Sequence, residues 1–164
     1  MLDQLLALDH AWSARLTIRQ AGLLRAIMQV IAHTGDGLVW IAIGIGLWLI
    51  GLPEPALREE ITVFALIGIV AALKFAFRRR RPTGQRGTLY FELDARSFPS
   101  GHAARMSALA VTFGTLSPAI AIGMGMWAAL VSLARVALGI HYLSDVTAGA
   151  VLGIGVGAVI AAVI

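Results

Sequence analysis

"MSALAVTFGTLSPAIAIGMGMWAALVSLA", Met106 to Ala134, runs for 29 residues without a charge. With its polar flanks the helical stretch extends from about Pro99 to Gly139. At about 1.5 Å per residue this is roughly twice the ~30 Å apolar core of a bilayer, so the chain has to turn back once inside it. The turn is expected at "LSP", Leu116 to Pro118, where Ser117 can cap a new helix and Pro118 can occupy its first turn. An apolar helical hairpin of this length belongs in a membrane.

The rest of the chain agrees. Of 164 residues 59% are hydrophobic and 13% charged, and the mean hydropathy is +0.84, well above a soluble domain of this size. Gly37 to Leu52 and Ile61 to Phe77, extended back to about Ala56, read as two spans, and Val146 to Ile164 as the last. The expected fold is all-α, a polytopic transmembrane helical bundle of about five spans, or six. Residues 1–164 form a single integral-membrane domain, with interfacial or short helices over 1–33 and a transmembrane core over 37–164. "MLDQLLALDHAWSARLTIRQ" lacks the features of a signal peptide and reads as amphipathic interfacial helix, with Leu5, Leu6 and Trp12 dipping in. A piece around Leu23 to Ile31 is expected to be re-entrant or interfacial. Gly149, Gly153 and Gly157 have small-xxx-small spacing, which permits close helix packing.

There is no cysteine, which excludes disulfides, thiolate nucleophiles and thiolate metal ligands. The formal charge is +4 and the pI about 10.7. In a chain this apolar, clustered basic residues point to a membrane surface or an anionic substrate, and no nucleic-acid partner is expected.

Three segments hold nearly all the ionisable residues near the spans: "KFAFRRRRP" with Lys74 and Arg81, "PSGH" from Pro99 to His102, and "ARVALGIHYLSD" with Arg135, His141 and Asp145. Span parity brings all three to one membrane face. Charges are costly at a membrane, so such a cluster suggests function. Lys74, Arg81 and Arg135 are fixed cations, and guanidinium forks match phosphate oxygens. A helix starting near Pro99 adds amide donors, with Gly101 allowing close backbone approach to an anion. Two histidines can then divide a phosphoryl transfer between attack on phosphorus and protonation of the leaving oxygen. His102 stands where it could deliver that proton. Asp145, one helical turn after His141, can fix its tautomer. Two histidines and an aspartate could also be asked to hold Zn²⁺, but three neighbouring cations would repel it, so no metal and no cofactor are expected.

These segments resemble the three-part signature of the type 2 phosphatidic acid phosphatase family, KxxxxxxRP, PSGH and SRxxxxxHxxxD, which also includes class A acid phosphatases and vanadium haloperoxidases. The match runs from Lys74 through Arg81 and Pro82, then Pro99 to His102, then Arg135 through His141 to Asp145. The resemblance implies that His141 is the nucleophile of a phosphohistidine intermediate, Asp145 its orienting group and His102 the general acid. It implies that Lys74, Arg81, Ser100, Gly101 and Arg135 bind the phosphoryl group. One departure is Ala134, where the family has Ser, and weaker phosphate binding is the expected result.

The implied activity is metal-independent hydrolysis of a lipid phosphate monoester or diphosphate: a polyprenyl phosphate or diphosphate, phosphatidylglycerol phosphate, phosphatidic acid or lipid A 1-phosphate. The partners are then that substrate and the surrounding lipids. Two alternatives use the same residues, a lipid phosphotransferase and a non-catalytic protein that binds anionic lipid. Bacterial relatives of this type usually face the periplasm or exterior, so the resemblance implies a protein integral to the cell (plasma or inner) membrane with an extracytoplasmic active site. Against that, Arg15, Arg19, Arg25, Arg79, Arg80 and Arg86 fall on the site's face and mainly Arg58 on the other, which by the positive-inside rule argues for the cytoplasm.

Duller roles are assigned elsewhere. His10 and His33 read as helix-end or interfacial residues, and Arg78, Arg79 and Arg80 as headgroup anchors. Arg105 could meet substrate or pair with Glu92 or Asp94. In "HTGDG", His33 to Gly37, Asp36 is expected to cap the first span, and Trp40, Trp48 and Trp127 to pack or to sit in the interfacial belt.

Overall fold

A computed structural model describes residues 2–82 and 96–164; Arg86, Glu92 and Asp94 lie outside the described residues. The helices are α1 (Leu2–Leu16), α2 (Leu23–His33), α3 (Gly37–Leu49), α4 (Pro53–Phe77), α5 (Gly101–Gly114), α6 (Pro118–Ala137) and α7 (Leu143–Val163). α4, α6 and α7 are each long and apolar enough to cross a membrane. α2 and α3 pass the same test together, bent by 51° at the break between them, the geometry of a broken span or a re-entrant piece.

The turn inside the long uncharged run falls where the chemistry of Ser and Pro puts it. α5 ends at Gly114, Ser117 accepts a hydrogen bond from the Ile120 amide at 3.2 Å, and Pro118 opens α6. α5 has only 14 residues, roughly 21 Å of helix, shorter than a bilayer core. It needs no more, because it is the inner helix of the bundle, with Met106, Ala108 and Leu109 fully buried, and it packs chiefly on α7 and α6.

Lipid tails are as apolar as leucine, so close packing rather than hydrophobic burial must hold such helices together. The glycine stripe of α7 provides it. A Cβ on Gly149 would overlap the Ser100 carbonyl oxygen, and one on Gly157 would lie 2.7 Å from that of Ala108. Between them, a Cβ on Gly153 would overlap the Ala104 carbonyl. The four-residue spacing on α7 thus meets a four-residue spacing on α5, backbone against backbone.

One face of the bundle is tied by Arg58 near the start of α4. Its guanidinium donates to Thr115 Oγ1 at 3.1 Å and to the Ile164 carbonyl at 2.9 Å, joining the α5–α6 turn to the end of α7. The ends of α4 and α6 and the starts of α5 and α7 therefore share the opposite face. α1 leaves Leu5, Leu6 and Trp12 exposed, as an interfacial helix would, and is fixed to that second face where Ser13 Oγ accepts from the Leu143 amide at 2.9 Å.

Candidate active site

His141 sits in the short link between α6 and α7. The end of α6 is closed by Gly139 at φ 71°, a left-handed position that suits glycine, while the Ile140 and His141 amides both donate to the Arg135 carbonyl at 3.1 and 3.3 Å. This wrapping turns the imidazole inward until it is 1% exposed. α7 then starts with a reciprocal cap in which the Tyr142 amide donates to Asp145 Oδ2 at 2.8 Å. His141 Nδ1 lies 3.5 Å from the same oxygen, one helical turn away as the spacing required and slightly beyond a formed hydrogen bond.

Cations surround this imidazole. Burial, then the charges of Arg135, Arg81 and Lys74, hold His141 well below its ordinary value of 6.5, so it stands as a neutral base with a free electron pair to offer. Lys74 comes from the last turn of α4 and Arg135 from the last turn of α6. Arg81 is placed by a short backbone pairing. Arg78 ends α4 in a left-handed conformation (φ 50°), Arg80 and Arg96 form an antiparallel bridge, and the Ser97 amide donates to the Arg79 carbonyl at 2.8 Å. Arg81 is 7% exposed.

"PSGH" is a helix start, as expected. Ser100 is the N-cap of α5, fully buried, and its Oγ accepts from the Ala103 amide at 3.5 Å. The Ser100 amide donates to the Asp145 carbonyl at 2.9 Å, which locks the start of α5 to the start of α7. A Cβ at Gly101 would meet only Val70 Cγ1, at 3.5 Å, so packing leaves open space beside this first-turn backbone. His102 follows at once, within reach of the charge of Arg135. All eight sequence-selected positions therefore lie at one face of the bundle, with Lys74, Arg81 and Arg135 close enough for their charges to act on the His141 ring.

The model of the PAP2 superfamily matches residues 60–164, which span Lys74, "PSGH" and Asp145. The chain belongs to the PAP2 superfamily. Its relatives include the decaprenylphosphoryl-5-phosphoribose phosphatase of Mycobacterium tuberculosis, 31% identical over 152 residues, 87% of this chain and 81% of that one. The lipid A 1-phosphatase of Porphyromonas gingivalis is 36% identical over 94 residues, 55% of this chain but 19% of that protein. Among solved structures, a transmembrane PAP2-type phosphatidylglycerolphosphate phosphatase from Bacillus subtilis has the same fold, with TM-score 0.78, 23% identity and coverage of 96% of this chain and 84% of that one. Aquifex aeolicus LpxE gives TM-score 0.76 at 25% identity and 92% of each chain.

Within this PAP2 phosphatase several residues take places that the sequence reading did not assign. Arg79, expected as a headgroup anchor, points inward. Its Nη1 donates to Asp145 Oδ1 and its Nη2 to Asp9 Oδ2, both at 2.7 Å, and its guanidinium lies 4.1 Å over the Tyr142 ring. Asp9 also accepts from the Ser144 hydroxyl and, at 3.0 Å, from the Ser144 amide. Burial works against ionisation of Asp9, but the hydrogen bonds from Ser144 and Arg79 outweigh it and hold its carboxyl below the usual range. His10 stacks on Tyr142 at 4.4 Å, so α1 packs against the start of α7 beside His141.

Asp36 occupies the N-cap position of α3 but makes no side-chain cap bond. Its Oδ1 meets His102 Nε2 at 2.7 Å and its Oδ2 meets His33 Nδ1 at 2.7 Å. Arg105, placed in the sequence reading against substrate or an acidic residue, donates from Nη1 to the Gly35 carbonyl at 2.6 Å. Trp40 and Trp127 are more than belt residues, donating to the Thr34 carbonyl at 2.8 Å and to Thr34 Oγ1 at 2.9 Å. Ala134 packs in an apolar cluster with Ala32 and Leu138, with Met28 and Ile31 of α2 against it. A "DG" after a helix end carried the one sequence signal for Asp36; nothing in the run of arginines distinguished Arg79 from its neighbours.

Proposed function

We propose that this membrane phosphatase hydrolyses the phosphate monoester or diphosphate of a lipid through a phosphohistidine on His141, without a metal ion. The observation that carries the reading is the neutral, buried imidazole of His141 with Lys74, Arg81 and Arg135 around it. Such a base can attack phosphorus while the three cations take the charge that accumulates on the non-bridging oxygens. The first-turn amides at Gly101 and His102 add donors at the same end of α5. Asp145 orients and stabilises the His141 imidazole, and His102 protonates the departing oxygen and then accepts the proton of the attacking water. Ser100 contributes by capping the helix that presents these amides.

A lipid substrate is supported by a second feature. An apolar cleft of about 860 Å³ lies between α5, α6 and α7, running from Val136, Leu143 and Val146 at the site's face towards Gly114 and Thr115 at the other. Clefts of about 300 to 1,000 Å³ bury most of a ligand of drug size, so a long apolar tail fits in such a space. With a phosphate at the cations and the tail along this cleft, a simple lipid monophosphate or diphosphate with a small headgroup is the substrate we favour.

The site is proposed to face the exterior of the cell membrane. Arg79, bonded to Asp145 and Asp9, binds within the protein and drops out of the positive-inside count, which weakens the opposing argument. The test of function is phosphate release from a panel of lipid phosphates in detergent with EDTA, comparing wild type with His141→Ala. Release from at least one lipid that survives EDTA and disappears in the variant is expected. Equal release from both proteins, or none from any lipid, overturns the reading.

A further inference from the structure

The loop His33 to Gly37 is built around two residues of α5. The Gly35 carbonyl accepts from Arg105 at 2.6 Å, and a Cβ on Gly37 would lie 3.2 Å from Arg105 Nη2. A Cβ on Gly35 would lie 3.0 Å from His102 Cδ2 and 2.9 Å from Val131 Cγ1, so the ring edge of His102 rests on glycine backbone. Two tryptophans pin Thr34 from α3 and α6. The loop thereby holds Asp36 at a fixed place, with its carboxylate 2.7 Å from His102 Nε2. Among the described residues this is the one hydrogen bond of the His102 ring.

We infer that Asp36 is a positioning residue for His102: its carboxylate accepts from Nε2–H, turns Nδ1 towards the departing oxygen and stabilises the imidazolium that must donate the proton. The inference rests on the assignment of His102 as general acid and extends it to the group that makes the acid usable. The groups that face His102 explain the need. Burial of the ring first, then the positive charges of Arg135 from α6 and Arg105 from α5, work against an imidazolium there. Asp36 brings the opposite charge from the α2–α3 break, and the exposed His33 shares its other oxygen.

The proton balance is closed. As the P–N bond to His141 forms and the P–O bond of the ester breaks, Nδ1–H of the His102 imidazolium passes its proton to the leaving alkoxide. The neutral ring then takes a proton from the water that attacks phosphohistidine, the P–N bond breaks, and His141 leaves neutral. Nε2–H stays on Asp36 throughout, so one nitrogen is held while the other exchanges.

A general acid matters most for a poor leaving group. The experiment compares wild type, His102→Ala and Asp36→Asn in detergent, each on the preferred alkyl lipid phosphate and on p-nitrophenyl phosphate, whose leaving group needs no proton. Asp36→Asn is expected to lower kcat on the alkyl phosphate by about 10-fold or more with KM within about twofold, and to lower turnover of the aryl phosphate by less than about threefold. The basic limb of its pH profile is expected at lower pH than in wild type. Equal losses on both substrates with an unmoved pH profile would show a merely structural role and overturn the inference. If His102→Ala itself shows no contrast between the substrates, the general-acid assignment falls and the inference falls with it. If Asp36→Asn does not accumulate as folded protein, Asp36→Glu, which keeps the charge and moves it by one methylene, carries the same comparison: a smaller contrast of the same sign supports the inference, and its absence overturns it.

Discussion

Arg79 offers a sharp test of the tertiary structure, because the sequence places it in a run of four arginines that look alike. Arg79→Gln removes the positive partner of two carboxylates at once, Asp145, which is fully buried, and Asp9, whose side chain is 11% exposed. Removing one member of a buried ion pair costs about 3 to 5 kcal/mol, since the remaining charge stays desolvated. The Tyr142 and Asp145 backbone cap and the Ser144 bonds to Asp9 remain, so the lower end, about 3 kcal/mol, is the expected loss. For a chain of this size that corresponds to a fall in Tm of about 6 to 12 °C. Arg80, the next residue, is exposed and bridges only through its backbone. Arg80→Gln is therefore expected to change stability by no more than about 0.5 kcal/mol. The assay is thermal unfolding of both variants in the same detergent. Equal stability of the two, or a larger loss at Arg80, would refute the inward placement of Arg79. In the double variant Arg79→Gln with Asp9→Asn, part of the loss should return, because one of the two stranded charges is gone.

Other expectations concern packing, pH and phosphate recognition. Gly153→Ala pushes a methyl carbon into the Ala104 carbonyl and should cost about 1 to 3 kcal/mol, whereas Gly155→Ala on the same helix meets nothing within 4 Å and should be neutral or stabilising; similar unfolding temperatures for the two would contradict the α5–α7 contact. Because His141 is held neutral below its ordinary 6.5, the unfolded chain binds a proton there that the native protein does not, so stability should fall as pH drops below about 6.5, by at most about 1.4 kcal/mol per pH unit. Unfolding between pH 7.5 and 5.5 measures this, and an identical slope in His141→Gln would remove His141 as its source. The same neutral imidazole should keep kcat/KM from declining as pH falls through 6.5, and an acid limb centred at or above 6.5 would be inconsistent with it. Arg135→Lys keeps the charge but loses the planar fork, and we expect kcat/KM to fall about 10- to 100-fold on a lipid phosphate; wild-type activity would show that charge alone suffices.

The parts of this protein that depend on local spacing were legible in the chain. An uncharged run twice the thickness of a bilayer must turn, and Ser117 with Pro118 fixes where. A spacing of four from His141 to Asp145 puts both on one side of a helix start, and glycines four apart on α7 make a face flat enough for another backbone. The three charged motifs could be brought to one membrane face by counting crossings. What the sequence could not supply is which long side chain meets which carboxylate. Asp36 reaches His102 from 66 residues away, and Arg79 reaches Asp145 and Asp9 across 66 and 70 residues. Neither pair lies at a helical or strand interval, so no period in the chain announces it. In the same way Asp36 looked like a helix cap because caps are satisfied locally, and only the folded bundle brought a more demanding partner, an imidazole among cations, within 2.7 Å of its oxygen. Periodicity sets the elements and the face they share; the pairing of charges is decided when those elements are packed, because a partly desolvated charge takes the partner that the surrounding backbone places beside it.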